Sequence, residues 1–345
     1  MPEENADFQK PGVIAQYVKM AYQNGASDLH FIPTSKEVNV FLRESGILKK
    51  HTPISKGEYE RLLNAFKFSS GLDVASSRVA QDAAFSLQID SSEKLDMRVC
   101  VLPSAHGESL TLRLPTRNVH DSTIELGMND YQTELLNKIM DSGKGVVLIT
   151  GLTGSGKTTT FYTLLLSALK NGMKVVTMED PIERFLDGIV QVQIDDSTGF
   201  SYVNAISASL RSDPDIIAIG EIRDAETARA AVNAAFSSRL VVATMHARDL
   251  GHAIKRLVHF GIPKSDLETI ISCIVHQRLV TLSDSDHIFR TGLFAMTVGL
   301  QSSDDETLGV LSNLTYQSLV TQLSNALHNG HRIVRIDGDM RYDEW

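Results

Sequence analysis

Eight residues near the middle of the chain, Gly151-Leu152-Thr153-Gly154-Ser155-Gly156-Lys157-Thr158, fit the spacing G-x-x-x-x-G-K-[ST]. That run constrains the fold more than any other feature, because it works only between a buried strand and the first turn of a helix. Both flanks are present. Val146 to Thr150 is a short, fully apolar run, and Lys157 to Lys170 follows a helical period. Glycines let the backbone curl so that successive N–H groups face one anion, and the helix adds its positive end. Lys157 brings a charge for β- and γ-phosphates, and the Thr158 hydroxyl can ligate Mg²⁺. Chance would produce the four fixed positions in roughly one chain of this length per hundred. The flanks make the stretch a nucleotide site, built from Gly151, Thr153, Gly154, Ser155, Gly156, Lys157, Thr158 and Thr159.

The surroundings fit an α/β fold. Short apolar runs at 175–178, 216–219 and 240–244 alternate with helical segments, as in a mostly parallel sheet. Residues 251–280 read as helical. The part before the loop differs. Helical periods at 12–24 and 57–68 mix with alternating runs at 29–33, 38–43, 85–89, 97–102 and 110–114. Pro115 to Thr123 is polar and turn-rich. The expected organisation is therefore an N-terminal α+β domain over 1–114, a hinge linker over 115–123, and a P-loop domain over 124–345 with a helical C-terminal part. With 345 residues the chain has room for two domains.

Composition excludes other classes. The net charge is −9 and no Lys/Arg-rich run occurs, so no direct DNA binding is expected. No apolar run reaches the ~18–20 residues of a membrane helix, and Met1 to Lys10 lacks a signal-peptide pattern, so a cytoplasmic protein is expected. The two cysteines, Cys100 and Cys273, have no partner at metal-ligand spacing; no zinc is expected. They read as reduced, mostly buried thiols.

Hydrolysis needs more than a phosphate loop. Glu179-Asp180 and Glu221 each follow an apolar strand, at the edge where parallel sheets bind ligands. A single acidic residue there is as easily a helix cap or a solvated turn, and Asp180 suits a cap. Glu221 is the stronger candidate, with Arg223 and Asp224 beside it and Asp213 and Asp215 ahead of its strand. His246 ends the run LVVATM, where a γ-phosphate could be sensed; a structural role is equally open. His30, His106, His259 and His276 default to structure.

Taken together, GLTGSGKTTT (151–160), EDPIE (179–183), LRSDPDIIAIGEIRD (210–224) and VVATMHARD (241–249) resemble the Walker A, Asp, Walker B and His boxes of the secretion-superfamily ATPases. These are the hexameric motors of type II secretion, type IV pili and competence pseudopili. GASDLHF (25–31), MRVCVLPSAHGESLTLRL (97–114) and HQRLV (276–280) are similar to further elements of that family. The resemblance covers roughly residues 12–300. It implies a PAS-like N-terminal domain and a RecA-like C-terminal one, with ATP bound between them and Mg²⁺ as cofactor. It implies that Glu221 polarises the attacking water, that Glu179 helps hold Mg²⁺ or water with Asp180 shaping its loop, and that His246 reads the γ-phosphate. Arg98 and Arg113 match arginines that close over the nucleotide; without the family they would read as surface ion-pairing residues on a strand. The implied partners are five further copies, making a homohexamer, and an inner-membrane platform protein that holds the ring peripherally at the cytoplasmic membrane.

Some features depart from the family pattern. VTLSDSDHIFRTG has no cysteine where assembly-type members carry a four-cysteine zinc insertion. Residues 299–345 hold no A-I-R-N-L-I-R motif of the retraction type. Ser238-Arg239 stands where Gly-His is common. What is left looks most like the competence-pseudopilus assembly ATPases of Gram-positive bacteria. A retraction motor and a DNA-transfer motor of the same superfamily are the alternatives, and a nucleotide-gated scaffold with little turnover is a third. The acidic clusters Asp284–Asp286 and Asp304–Glu306 have no assigned chemistry.

Overall fold

The computed structural model describes residues 12–89, 94–115, 123–195, 198–283, 288–300, 305–329 and 331–336. The chain divides into two compact units, Met1–Arg117 and Asn118–Trp345. Most of the expected linker, 116–122, lies outside the described residues, as do Asp284–Asp286 and Asp304.

The first unit contains α1 (Gly12–Gln23), β1 (Ala26–Pro33), β2 (Val38–Glu44), β3 (Ile47–Lys50), α2 (Lys56–Ser69), β4 (Gln81–Gln88), β5 (Lys94–Ser104) and β6 (Gly107–Arg113). Its six strands run antiparallel in the order β3-β2-β1-β6-β5-β4. Alternation along β5 puts Leu95, Met97, Val99 and Val101 into a core shared with Phe31, Phe66 and the two helices, and leaves Arg98 outside. Lys67 of α2 is buried, and its ammonium meets both Glu108 oxygens at 2.7 and 2.8 Å and the Ser76 carbonyl at 2.7 Å. A buried charge needs such a full set of partners.

The second unit starts with α3 (Asp130–Ser142), β7 (Gly145–Gly151), α4 (Lys157–Lys170), β8 (Val175–Glu179), β9 (Val190–Gln193) and α5 (Tyr202–Ser209). It continues with β10 (Ile216–Ile219), α6 (Ala225–Phe236), β11 (Leu240–His246), α7 (Leu250–His259), α8 (Lys264–Ile270), β12 (Ile271–Ser283), β13 (Ile288–Val298), α9 (Asp305–His328) and β14 (Arg332–Ile336). The sheet order is β13-β12-β7-β11-β10-β8-β9, with β14 also on β12. β12, β7, β11, β10, β8 and β9 are mutually parallel; β13 and β14 pair antiparallel with β12. Buried strands with helices on both faces give two apolar layers, one around Leu148, Ile217 and Ala243, the other around Val147, Ile149 and Leu164. This is the RecA-like α/β unit.

One expected element is corrected. Residues 251–280 are not all helical: α7 ends at His259, α8 ends at Ile270, and β12 begins at Ile271. β12 is largely buried on both faces, because helices cover both sides of the sheet, and such a run has no period that separates strand from helix. Among the described helices none is long and apolar enough to cross a membrane.

Candidate functional site

The site lies on loops at the carboxyl ends of four parallel strands. β7 pairs with β11 so that Gly151 is opposite His246. β10 pairs with β8 so that Ile219 is opposite Met178, which places Glu179 and Glu221 at the same edge. A cleft of about 240 Å³ opens there. Thr153, Gly154, Lys157 and Thr158 line it from the phosphate loop, Glu179, Asp180 and Glu183 from the segment after β8, Glu221 and Arg223 from that after β10, and His246 from β11.

The remaining loop residues build rather than line it. Gly156 caps α4 with φ +86°, and a Cβ there would sit 2.7 Å from Gln277 Nε2. A Cβ on Gly151 would sit 2.5 Å from the Gln277 carbonyl and 2.3 Å from Ser155 Oγ, which is itself buried. Thr159 is half-buried on α4, outside the cleft lining. Lys157 Nζ donates to the carbonyls of Gly151 and Leu152, both at 3.0 Å. Burial lowers its pKa, while the charges of Glu221 and Glu183 work in the opposite sense.

The carboxylates differ in setting. Glu179 is buried: Oε1 accepts from Thr177 Oγ1 at 2.6 Å and Gln191 Nε2 at 3.0 Å, and Oε2 accepts from the Tyr162 hydroxyl. Glu221 is partly exposed and accepts from Arg223 Nε at 2.8 Å; Arg223 Nη1 reaches Asp180 Oδ2 at 2.9 Å. Asp180 is thus an ion-pair partner, not a helix cap, and it precedes a cis proline, Pro181. His246 has its pKa lowered, first by burial, then by Lys157 and Arg256. It is neutral near pH 7, with one ring N–H to donate and one lone pair to accept. Arg256 of α7 holds the His246 carbonyl, which fixes the end of β11.

The acidic residues ahead of β10 do not support Glu221, contrary to the sequence reading. Asp213 pairs with Arg239 at 2.6 Å and Asp215 accepts from the Lys174 amide at 2.7 Å, both at the opposite end of the strand. They fix the far edge of the sheet.

Arg98 and Arg113 belong to the first unit. They face each other across β5 and β6 on the exposed side. The same cross-strand row continues through Asp28 to Arg43. Asp28 accepts from Arg113 Nε at 3.2 Å and lies 3.5 Å from Arg43 Nε. Like charges placed directly opposite are unfavourable unless an anion is nearby. A concavity of about 470 Å³ opens beside Arg98 and Arg113.

Three residues beyond those expected belong to the site. Glu183 lines the cleft, and its charge acts on Lys157; it is the last letter of EDPIE, so the motif contained it. Gln277 accepts from Thr160 Oγ1 at 2.7 Å and backs the loop glycines; the family-like stretch HQRLV (276–280) contained it without giving it a role. Tyr162 had none. Among the described residues no cluster of three or more His, Cys, Asp or Glu groups could hold a metal by itself. Magnesium in phosphate sites takes only one or two protein oxygens beside those of the phosphates. The Thr158 hydroxyl and the hard carboxylate oxygens of the cleft fit that need.

A phosphate-binding loop on a mostly parallel sheet, with carboxylates and a neutral histidine at its carboxyl edge, defines a P-loop nucleotide-binding unit. A family model described as Type II/IV secretion system protein matches residues 3–306, and the chain belongs to that family. It is 33% identical over 346 residues to competence protein ComGA of Bacillus subtilis, covering 95% of each chain. It is 36% identical over 268 residues to type II secretion system protein E of Xanthomonas campestris pv. campestris, covering 77% of this chain and 47% of that one. The solved structure of the pilus retraction motor PilT with bound ADP shares the fold, with a TM-score of 0.67 and 23% identity over 93% of this chain and 94% of that chain.

Proposed function

We propose that the chain is an ATP hydrolase that works as a homohexameric motor, driving assembly of a pilus-like filament of the competence, type IV pilus or type II secretion kind. The observation that carries the hydrolase reading is the convergence of Lys157, Glu221 and His246 on one cleft from three different segments of the chain. The relatives named above support the choice of machine.

The loop amides and Lys157 bind the phosphates of ATP. Thr158 and Glu179 would hold Mg²⁺, which neutralises charge on the β- and γ-phosphates when bound. Glu221 takes a proton from water as the water oxygen attacks the γ-phosphorus; the bond to the β-phosphate oxygen breaks and ADP leaves. Lys157 offsets the charge that develops, and His246 contacts the γ-phosphate as a neutral ring. Asp180 shapes its loop by its pair with Arg223. Arg98 and Arg113 supply further positive charge to the transferred group. The ring sits against the cytoplasmic membrane through a platform protein, and neither zinc nor DNA takes part.

The test is Glu221→Gln in the full chain. Turnover should fall about 10²–10⁴-fold, the usual worth of a positioned base, with ATP affinity within a few-fold. Unchanged turnover would remove Glu221 from the mechanism. In cells carrying the variant, filaments or the DNA uptake that depends on them should be lost. Abundant filaments that fail to shorten would instead make this a retraction motor.

A further inference from the structure

The helix that leaves the phosphate loop also reaches the acidic loop after β8. Tyr162 lies on α4, five positions past Lys157, and is 3% exposed. Its hydroxyl donates to Glu179 Oε2 and accepts from the Glu183 backbone N–H at 3.3 Å. One phenol oxygen therefore bridges both ends of Glu179–Glu183. The loop is tied again further on: Gln191 Nε2 donates to Glu179 Oε1 and to the Arg184 carbonyl, and Gln191 Oε1 accepts from the Leu186 amide at 2.6 Å. The three donors to Glu179 are all neutral, so direction rather than counter-charge holds this carboxylate.

Packing does not account for the hydroxyl. The Tyr162 ring meets Phe161 with centroids 5.7 Å apart, and phenylalanine would fill the same space. Placing a hydroxyl beside a buried carboxylate adds no apolar area, and its hydrogen bonds point only at the loop.

We propose that Tyr162 is a positioning residue for hydrolysis: it ties the acidic loop to the phosphate-binding helix, fixing Glu179 and setting Glu183 against the cleft. The proposal rests on the ATPase reading above. When the phosphate loop takes up nucleotide, α4 and the acidic loop move as one piece, so Lys157 and the loop carboxylates keep their spacing.

Tyr162→Phe in the full chain tests it, with kcat and KM for ATP, the Kd of a fluorescent ADP analogue, and the melting temperature measured against wild type. The expected result is a fall in kcat of about tenfold, in the range for removing a group that orients a functional ligand. KM and the analogue Kd should stay near wild type, and the melting temperature should fall by only a few degrees, the cost of leaving the buried Glu179 oxygen without its donor. A kcat within twofold of wild type would overturn the proposal. So would a loss of kcat matched by an equal loss of analogue affinity, which would make Tyr162 part of the framework only. If wild type itself shows no turnover while binding the analogue, the hydrolase reading fails instead.

Discussion

Gly156→Ala is the substitution whose cost can be worked most directly from the structure. The residue caps α4 at φ +86°, where an L side chain is strained by about 1–2 kcal/mol. The added methyl would also stand 2.7 Å from Gln277 Nε2 and 3.4 Å from Leu279 Cδ1. Gln277 is buried and tied to Thr160 at 2.7 Å, so moving it leaves buried polar atoms unpaired, worth about another 1–3 kcal/mol. A total of about 3 kcal/mol corresponds to a melting shift of about 6–12 °C for a unit of this size. Gly154→Ala is the control. Its φ is +77° but a Cβ there meets nothing within 4 Å, so it bears the backbone cost alone, about 2–8 °C. Calorimetry of the full chain, alone and with ADP, reads both. Equal destabilisation by the two variants would refute the role given to Gln277, and a Gly156→Ala protein melting within 2 °C of wild type would refute the whole estimate.

Other outcomes follow from the same geometry. Arg98→Ala should lower kcat while ATP affinity stays within a few-fold; unchanged kcat would make this arginine structural. Lys67→Met leaves the Glu108 carboxylate without its buried partner and should cost about 3–5 kcal/mol, read as lost hydrogen-exchange protection of α2 and β6; a loss under 1 kcal/mol would contradict the ion-pair reading. His276 is fully buried, donates to or accepts from Thr150 Oγ1 at 3.1 Å, and has its pKa lowered by burial from 6.5 to about 3. Between those pH values the unfolded chain binds one proton more than the native one, so stability is full above 6.5 and falls toward pH 3 by about 1.4 kcal/mol per pH unit. His276→Asn should flatten the acid side of the stability curve by about one proton, and an unchanged slope would refute the assignment.

The phosphate loop, its flanking strand and helix, and the strands ending at Glu179, Glu221 and His246 were legible because each carries a local signal: glycines at fixed spacing, or an apolar run followed by a polar residue. β12 was not, since a strand buried on both faces loses the alternation that marks strands. The Asp213 and Asp215 side chains misled for a related reason. Closeness in sequence to Glu221 counts for little when a strand separates the two ends. Tyr162 and Gln277 act through partners 17 and 117 positions away, and no pattern in one dimension pairs them.

The cleft residues are carried on strands locked in parallel register, and this sets which length changes the chain can absorb. Deleting one residue inside β7, β8, β10 or β11 would draw its terminal loop back by about 3.3 Å and turn alternate side chains to the opposite face. A deletion or insertion at the other edge of the sheet, in the turns at Gly172 or Ser237-Ser238, shifts none of these side chains. Variation in length should therefore be tolerated on one edge of the second unit and selected against on the other, and a scan of single-residue deletions would draw that line through the molecule.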